Sequence, residues 1–373
     1  MSQTTSFYQR LDIEGFINAH SCNTTMGGSI MAPAVVEAMV EASQNFISLG
    51  RLHDQAGARI AELTGNEAAF VCAGAASGLL LAGAACLAGS DRERIEQLPD
   101  TGERPNEFVI SLVDPHYYVH QGFQICGGKL VEVGTKKKVS PADYQAAIGE
   151  RTAAVVFFFG RQPREDLGEV IDIAHAAGVP VIVDAADQVP PRSNLTDLTG
   201  RGADLVVFSG GKGMAGPQSS GLVLGRRDLV EACRLNSSPH SAMGRGMKVG
   251  KEEIAGLLTA VELFMARDEE GVIAEWERRC RHIGAVADGI EGVSAHYLPP
   301  FSQVIFPAGP IVELHFTEGA PISARDLVKA LENGRPSIRA WGEETIVHLA
   351  PYTLQEGEAE IIASRLEEIF QSC

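Results

Sequence analysis

Lys212 stands in a run of small residues, Phe208-Ser209-Gly210-Gly211-Lys212-Gly213-Met214-Ala215-Gly216-Pro217-Gln218-Ser219-Ser220-Gly221, directly after the apolar segment Leu205-Val206-Val207-Phe208. A strand end followed by such a loop delivers the amine to a place where backbone lets a ligand approach closely. Lysine is a flexible primary amine whose basicity falls readily on burial, which suits it to a Schiff base with a carbonyl compound. A Walker phosphate loop would need G-x-x-x-x-G-K-[ST]; here Gly213 follows the lysine and the upstream glycine is missing.

Three other loops follow apolar, strand-like segments and carry suitable groups. Gly74-Ala75-Ala76-Ser77 opens a helix after Ala68-Ala69-Phe70-Val71-Cys72. Free N–H groups, the helix dipole and a hydroxyl together suit a phosphate there, although small residues at a helix start also serve tight packing. Asp114-Pro115-His116-Tyr117-Tyr118 follows a strand ending at Val113 and offers His116 to lie over a planar ring or to cap the next helix. Asp184-Ala185-Ala186-Asp187 follows Val179-Pro180-Val181-Ile182-Val183. An aspartate after a buried strand is costly unless a cation pairs it, and a protonated pyridine nitrogen is such a cation. Amine, carboxylate, imidazole and helix start at successive strand ends make the set of contacts that pyridoxal 5′-phosphate requires.

The elements that must hold these loops alternate. Segments at 108–113, 129–133, 153–159, 179–183, 205–208 and 221–224 read as buried strands, with helices at 117–126, 141–148 and 167–177 between them. Near-continuous apolar strands separated by helices predict an α/β domain with a mostly parallel sheet covered on both faces. The charged stretch from Ser90 to Asn106, with Pro99 and Pro105, reads as a surface insertion. Long helices at 251–266 and 271–290, strands at 311–316, 337–340 and 345–349, and helices at 323–332 and 354–370 predict a smaller α+β domain at the C-terminus. The expected division is an N-terminal arm over 1–31, packing on something else such as a neighbouring subunit; a large domain over 32–265; and a small domain over 266–373 that takes in part of the N-terminus.

Composition narrows the function classes. With 373 residues, 45% of them hydrophobic, the chain can bury a large core, and a net charge of −17 argues against a general polyanion-binding surface. No nucleic-acid partner is expected. Seven scattered cysteines with no C-x-x-C predict reduced thiols, no structural metal and a cytoplasmic location. The N-terminus lacks the pattern of a signal peptide and no apolar run is long enough to span a membrane.

The sequence resembles the fold-type-I pyridoxal phosphate (PLP) enzymes, and within them the selenocysteine-synthase-like group that includes D-glucosaminate-6-phosphate ammonia-lyase. The resemblance runs from about Met26 to Phe370. It is densest in 179–186, in Gly202 to Lys212, and in Gly244-Arg245-Gly246-Met247-Lys248-Val249-Gly250-Lys251-Glu252-Glu253-Ile254. It implies Lys212 as the cofactor lysine, Asp184 as the partner of the pyridine nitrogen with Ala186 beside it, and His116 against the ring. Gly74, Ala75, Ala76, Ser77 and Ser209 would form the phosphate cradle. Arg339, in Arg335-Pro336-Ser337-Ile338-Arg339, falls where the fold usually supplies a guanidinium for the substrate carboxylate. Arg245, Lys248 and Lys251 are candidates for an anion, and Arg161 and Gln162 for the substrate, each with a surface salt bridge as the competing role. The synthases that act on charged tRNA carry an additional N-terminal domain that this sequence does not show, so aminoacyl-tRNA is not the expected substrate. The expected activity is an α,β-eliminating lyase on a β-hydroxy amino acid. A racemase, aldolase, β-replacement enzyme or aminotransferase, or a catalytically silent PLP-fold binding protein, are the alternatives, and a homo-oligomer is expected.

Overall fold

The computed structural model describes residues 7–301 and 309–373. The chain divides into two compact units, one of Gly27–Arg267 and one of the described residues up to Met26 with those of Asp268–Cys373. After the short strand β1 (Phe16–Asn18), the first unit begins with α1 (Pro33–Ser43) and α2 (Leu49–Thr64). Pro33 occupies the first turn of α1, where its missing N–H would have had no partner anyway, and the Ser48 side chain caps α2 by accepting from the Arg51 N–H.

The alternating series follows: β2 (Ala68–Cys72), α3 (Ala75–Ala88), α4 (Arg92–Gln97), β3 (Glu107–Ser111), α5 (Tyr117–Ile125), β4 (Lys129–Val133), α6 (Pro141–Ala147) and β5 (Thr152–Phe158). It continues through α7 (Asp166–Ala176), β6 (Val181–Asp184), α8 (Asn194–Gly200), β7 (Leu205–Ser209), β8 (Gly221–Gly225), α9 (Arg227–Leu235) and α10 (Lys251–Ala266). The seven strands form one sheet in the order β2-β8-β7-β6-β5-β3-β4. Six of them run in one direction, and β8 is antiparallel to both neighbours. A parallel return would need a helical crossover, whereas β8 comes straight back through the loop that carries Lys212.

Burial on both faces explains the continuous apolar strands. Val155, Phe157 and Phe159 join the core on one side of the sheet, while Ala154, Val156 and Phe158 join the core on the other. Each fully buried Phe or Val contributes about 2 kcal/mol by leaving water. The 90–106 stretch differs from the surface insertion expected of its charge. It forms α4, capped by the Asp91 carboxylate at the Arg94 N–H (3.1 Å), and buries Ile95, Leu98, Thr101 and Asn106.

The second unit is built from α11 (Glu269–Gly284), β9 (Val293–Leu298), β10 (Ile311–Phe316), α12 (Ala324–Glu332), β11 (Ser337–Arg339), β12 (Trp341–Gly342), β13 (Ile346–Leu349) and α13 (Glu358–Ser372). An antiparallel sheet, β12-β13-β10-β9, covers the core with these helices. The N-terminal strand β1 pairs in parallel with β11, Ile17 opposite Ile338, and both isoleucines are buried. Residues 16–18 therefore belong to the small unit's own packing.

Candidate active site

The topology places the carboxyl ends of β2, β3, β5, β6 and β7 and the start of β8 along one edge of the large sheet. Cys72 and Ser209 both pair with Gly221, so the loops after β2 and β7 leave from adjacent positions. Asp184 pairs with Val207 on one side and Phe158 on the other. The loops carrying residues 73–77, 112–117, 159–162, 185–188 and 210–213 thus all leave this edge.

Gly74 is the N-cap of α3, and no side chain caps it. The first-turn N–H groups of Ala75, Ala76 and Ser77 have no acceptors among the described residues and open an anion-sized cradle. The Ser77 hydroxyl donates to the Gly74 carbonyl at 2.8 Å. Gly221 lies against this turn: a Cβ there would overlap the Gly74 carbonyl carbon and crowd the Ala75 nitrogen at 2.8 Å.

The loop after β7 is pinned from both sides. The Ser29 N–H donates to the Gly211 carbonyl (3.0 Å) and the Ser29 hydroxyl to the Lys212 carbonyl (2.7 Å), which also accepts from the Ala215 N–H (2.9 Å). Gly213 passes so close to the Val189 carbonyl that any Cβ would overlap it. Ala215 holds a left-handed conformation, φ 53°, at a cost of about 1 kcal/mol for a non-glycine residue. These contacts fix the backbone from which the half-buried Lys212 amine extends.

Two aspartates of this sheet show what a buried carboxylate requires. Asp204, at the opposite edge, accepts from Arg226 (2.7 Å), His175 (2.8 Å) and the Val181 N–H (2.8 Å). Among the described residues the Asp184 carboxylate accepts one hydrogen bond, from the Ala186 N–H at 3.0 Å. Burial pushes its carboxyl up to about 6, Asp114 and Asp187 push the same way, and Lys212 acts in the opposite direction. Among the described residues Asp184 has no ion pair of the kind that Asp204 makes with Arg226.

His116 stands at the start of α5. Its Nδ1 lies 2.7 Å from Oδ1 of Asp114, whose side chain is 3% exposed and whose Oδ2 accepts the His116 backbone N–H at 3.1 Å. The Tyr118 ring is 5.4 Å from the imidazole, and burial, Asp184 and Asp114 raise the Tyr118 hydroxyl above its usual range. Asp114, Tyr118 and Asp184 therefore share one electrostatic environment. The sequence assigns no role to Asp114 or Ser29. The Asp-Pro-His spacing is the local signal that could point to Asp114, whereas nothing local signals that Ser29 reaches a loop 183 residues away.

The remaining sequence-derived candidates sit in different settings. Arg161 is half-buried just past β5. Gln162, expected to face a substrate, is 7% exposed, and its amide oxygen accepts from Tyr144 (3.0 Å) and Ser111 (3.4 Å) in the core. Arg245 and Lys248 are exposed. The Lys251 amine, considered for an anion, donates to the Ala42 and Asn45 carbonyls at the end of α1, where a cation meets the negative helix terminus. Arg339 belongs to the small unit, ion-paired with Glu332 and with its guanidinium 5.4 Å over the Phe16 ring. Among the described residues no cluster of His, Cys, Asp or Glu is arranged to hold a metal ion, and no helix is long and apolar enough to cross a membrane.

The donor set fits PLP: an uncapped helix start for a phosphate, a buried carboxylate short of a cation for a pyridinium, and a lysine on a fixed loop for an aldehyde. Sheet, loops and donors together define a fold-type-I PLP-dependent enzyme. Residues 17–274 match the family model described as SelA: L-seryl-tRNA selenium transferase, and the chain belongs to that family. It is 35% identical to the 5′-C-glycyluridine monooxygenase-decarboxylase of a Streptomyces species, over 98% of this chain and 92% of that protein. It is 28% identical to the D-glucosaminate-6-phosphate ammonia lyase of Salmonella typhimurium, over 98% of each chain. The solved structure of a D-glucosaminate-6-phosphate ammonia-lyase superposes with a TM-score of 0.82 at 27% identity, covering 99% of both chains. A serine palmitoyltransferase with PLP shares the fold, with a TM-score of 0.62 at 16% identity.

Proposed function

We propose that the protein is a PLP-dependent lyase that eliminates the β-hydroxyl of an α-amino acid of the D-glucosaminate type and releases a 2-keto acid and ammonia. The observation that carries this reading is the end-to-end likeness, in sequence and in fold, to the D-glucosaminate-6-phosphate ammonia-lyases. Lys212 would hold the cofactor, Asp184 its ring nitrogen, and Ala75, Ala76, Ser77 and Ser209 its phosphate, with Gly74 shaping the cradle and the Ala186 N–H holding Asp184 in place. Bound PLP supplies a sink for the electron pair released when the Cα–H bond breaks. The Nζ of Lys212 would be the base that accepts the Cα proton. The hydroxyl leaves as water, and a second water returns to release ammonia, so the keto acid is an isomer of the substrate less NH3. Arg339, Arg245 and Arg161 are the substrate-side candidates; Gln162, turned into the core toward Tyr144 and Ser111, supports the loop that carries Arg161.

A second reading has its own support. The 35% identical relative is named for oxidative decarboxylation of an amino acid built on a nucleoside, so the same site would break the bond from Cα to the carboxylate and consume oxygen. The test is a panel of D-glucosaminate 6-phosphate, D-glucosaminate, both enantiomers of serine and threonine, and 5′-C-glycyluridine, followed for keto acid, ammonium, oxygen uptake and CO2. Keto acid and ammonium in equal amounts, without oxygen uptake, are expected. Oxygen uptake with CO2 release overturns the elimination in favour of the second reading.

A cytoplasmic location belongs to the same proposal, supported by seven free thiols that suit a reducing compartment, and so does a homo-oligomer, which rests on the family resemblance alone. Seryl-tRNA is not proposed as the substrate, given the charge of −17.

A further inference from the structure

Asp114 lies just beneath the site, and its carboxylate is spent entirely on one residue. Oδ1 meets His116 Nδ1 at 2.7 Å and Oδ2 meets the His116 N–H at 3.1 Å, while the side chain is 3% exposed. An ionised carboxylate can only accept, so this short contact requires the hydrogen on Nδ1. In the neutral ring that leaves Nε2 as a bare acceptor. Nε2 sits on the opposite side of the ring, has no hydrogen bond to any described residue, and belongs to a side chain that is 40% exposed. A histidine that served only as a flat plate over a ring would need neither a buried carboxylate nor a defined tautomer. Its neighbours strengthen the case: the Tyr118 ring is 5.4 Å from the imidazole, and the Tyr118 hydroxyl feels both Asp184 and Asp114.

We infer that Asp114 is a positioning residue that fixes His116 in the Nδ1–H tautomer, and that His116 Nε2 carries a proton during turnover. This rests on the lyase reading for its chemistry. The substrate arrives as an ammonium and must lose a proton before its nitrogen can attack. That N–H bond breaks toward Nε2, and the imidazolium formed is stabilised by Asp114. When the Cβ–O bond breaks, its electron pair goes to oxygen, Nε2 returns the proton there, and water leaves. Lys212 takes the Cα proton throughout, so the two groups divide the proton traffic: Lys212 at Cα and His116 at the heteroatoms.

The experiment has two arms. Nitrogen-15 NMR of the histidine-labelled protein, with His116 assigned by its disappearance in His116→Gln, reads the tautomer directly and needs neither cofactor nor substrate. The Nδ1–H form is expected in the wild type, with a mixture in Asp114→Asn; an Nε2–H wild type overturns the inference, whether or not the variant folds. In the second arm, Asp114→Asn is compared on the panel member that the wild type turns over fastest. A fall in kcat of about 10²-fold is expected, with KM changed less than about threefold, labelling of Lys212 by borohydride intact, and partial recovery in Asp114→Glu. A kcat within about threefold of wild type overturns the inference. A wild type that turns over no panel member contradicts the lyase reading instead, and leaves the tautomer measurement to decide on Asp114.

Discussion

At the scale of single residues, the contrast between Asp184 and Asp204 carries most of the chemistry. Both are aspartates at a strand of one sheet, yet Asp204 has an arginine and a histidine, while Asp184 has one backbone N–H. Burial raises the Asp184 carboxyl from its ordinary value to about 6. In the cofactor-free protein the unfolded chain therefore releases this proton first as pH rises. Stability is highest below the unfolded value and falls as pH climbs from there to about 6, by roughly 3 kcal/mol for a shift of this size. Asp184→Asn should remove that loss. Urea denaturation of the cofactor-free variant at pH 8 is expected to show it as stable as wild type or more so, by up to about 3 kcal/mol, while its turnover collapses. A variant clearly less stable than wild type at pH 8 would assign Asp184 to the scaffold. The aspartate was legible because it ends a buried strand. The roles of Gln162 and Lys251 were less so: a polar residue just past a strand reads alike whether it turns to the solvent or, like Gln162, to a buried tyrosine.

At the scale of elements, the site depends on close approach between two turns. Gly221 opens β8 beside Gly74, and a methyl group there would displace the very turn that opens α3. Gly221→Ala should cost about 1–3 kcal/mol of stability by overpacking. It should also weaken PLP binding by about tenfold or more, measured by titrating the cofactor into the stripped protein. Wild-type affinity would mean that the α3 start does not hold the phosphate. The long elements could be read from the sequence because burial on both sheet faces leaves an unbroken apolar run, as in β5 and β7. The strand Val293–Leu298 was not, since polar Ser294 and His296 alternate with neighbours that are only partly covered. The helices Asn194–Gly200 and Arg227–Leu235 were missed as well, the first for its shortness and the second because its apolar positions are few among charges. The direction of β8 follows from loop length, which its apolar composition does not report.

At the scale of the whole molecule, the sequence order and the spatial order part company at the N-terminus. Phe16-Ile17-Asn18 is too short to announce itself as a strand, and its partner lies more than three hundred residues away at Ser337–Arg339. Ser29, by contrast, serves the large unit by holding the Lys212 loop. The first thirty residues thus contribute to both units. The net charge of −17 and the free thiols speak to partners and compartment, and the end-to-end relatives speak to chemistry; the chemistry proposed depends on one atom, the Nζ of Lys212. The measurement that tests this most directly is the absorbance of the purified protein with PLP, before and after borohydride, followed by peptide mapping. The account predicts a visible band that borohydride abolishes, one cofactor fixed per chain on the peptide containing Lys212, and neither in Lys212→Ala. Label on another lysine, or an unchanged band in Lys212→Ala, would contradict it.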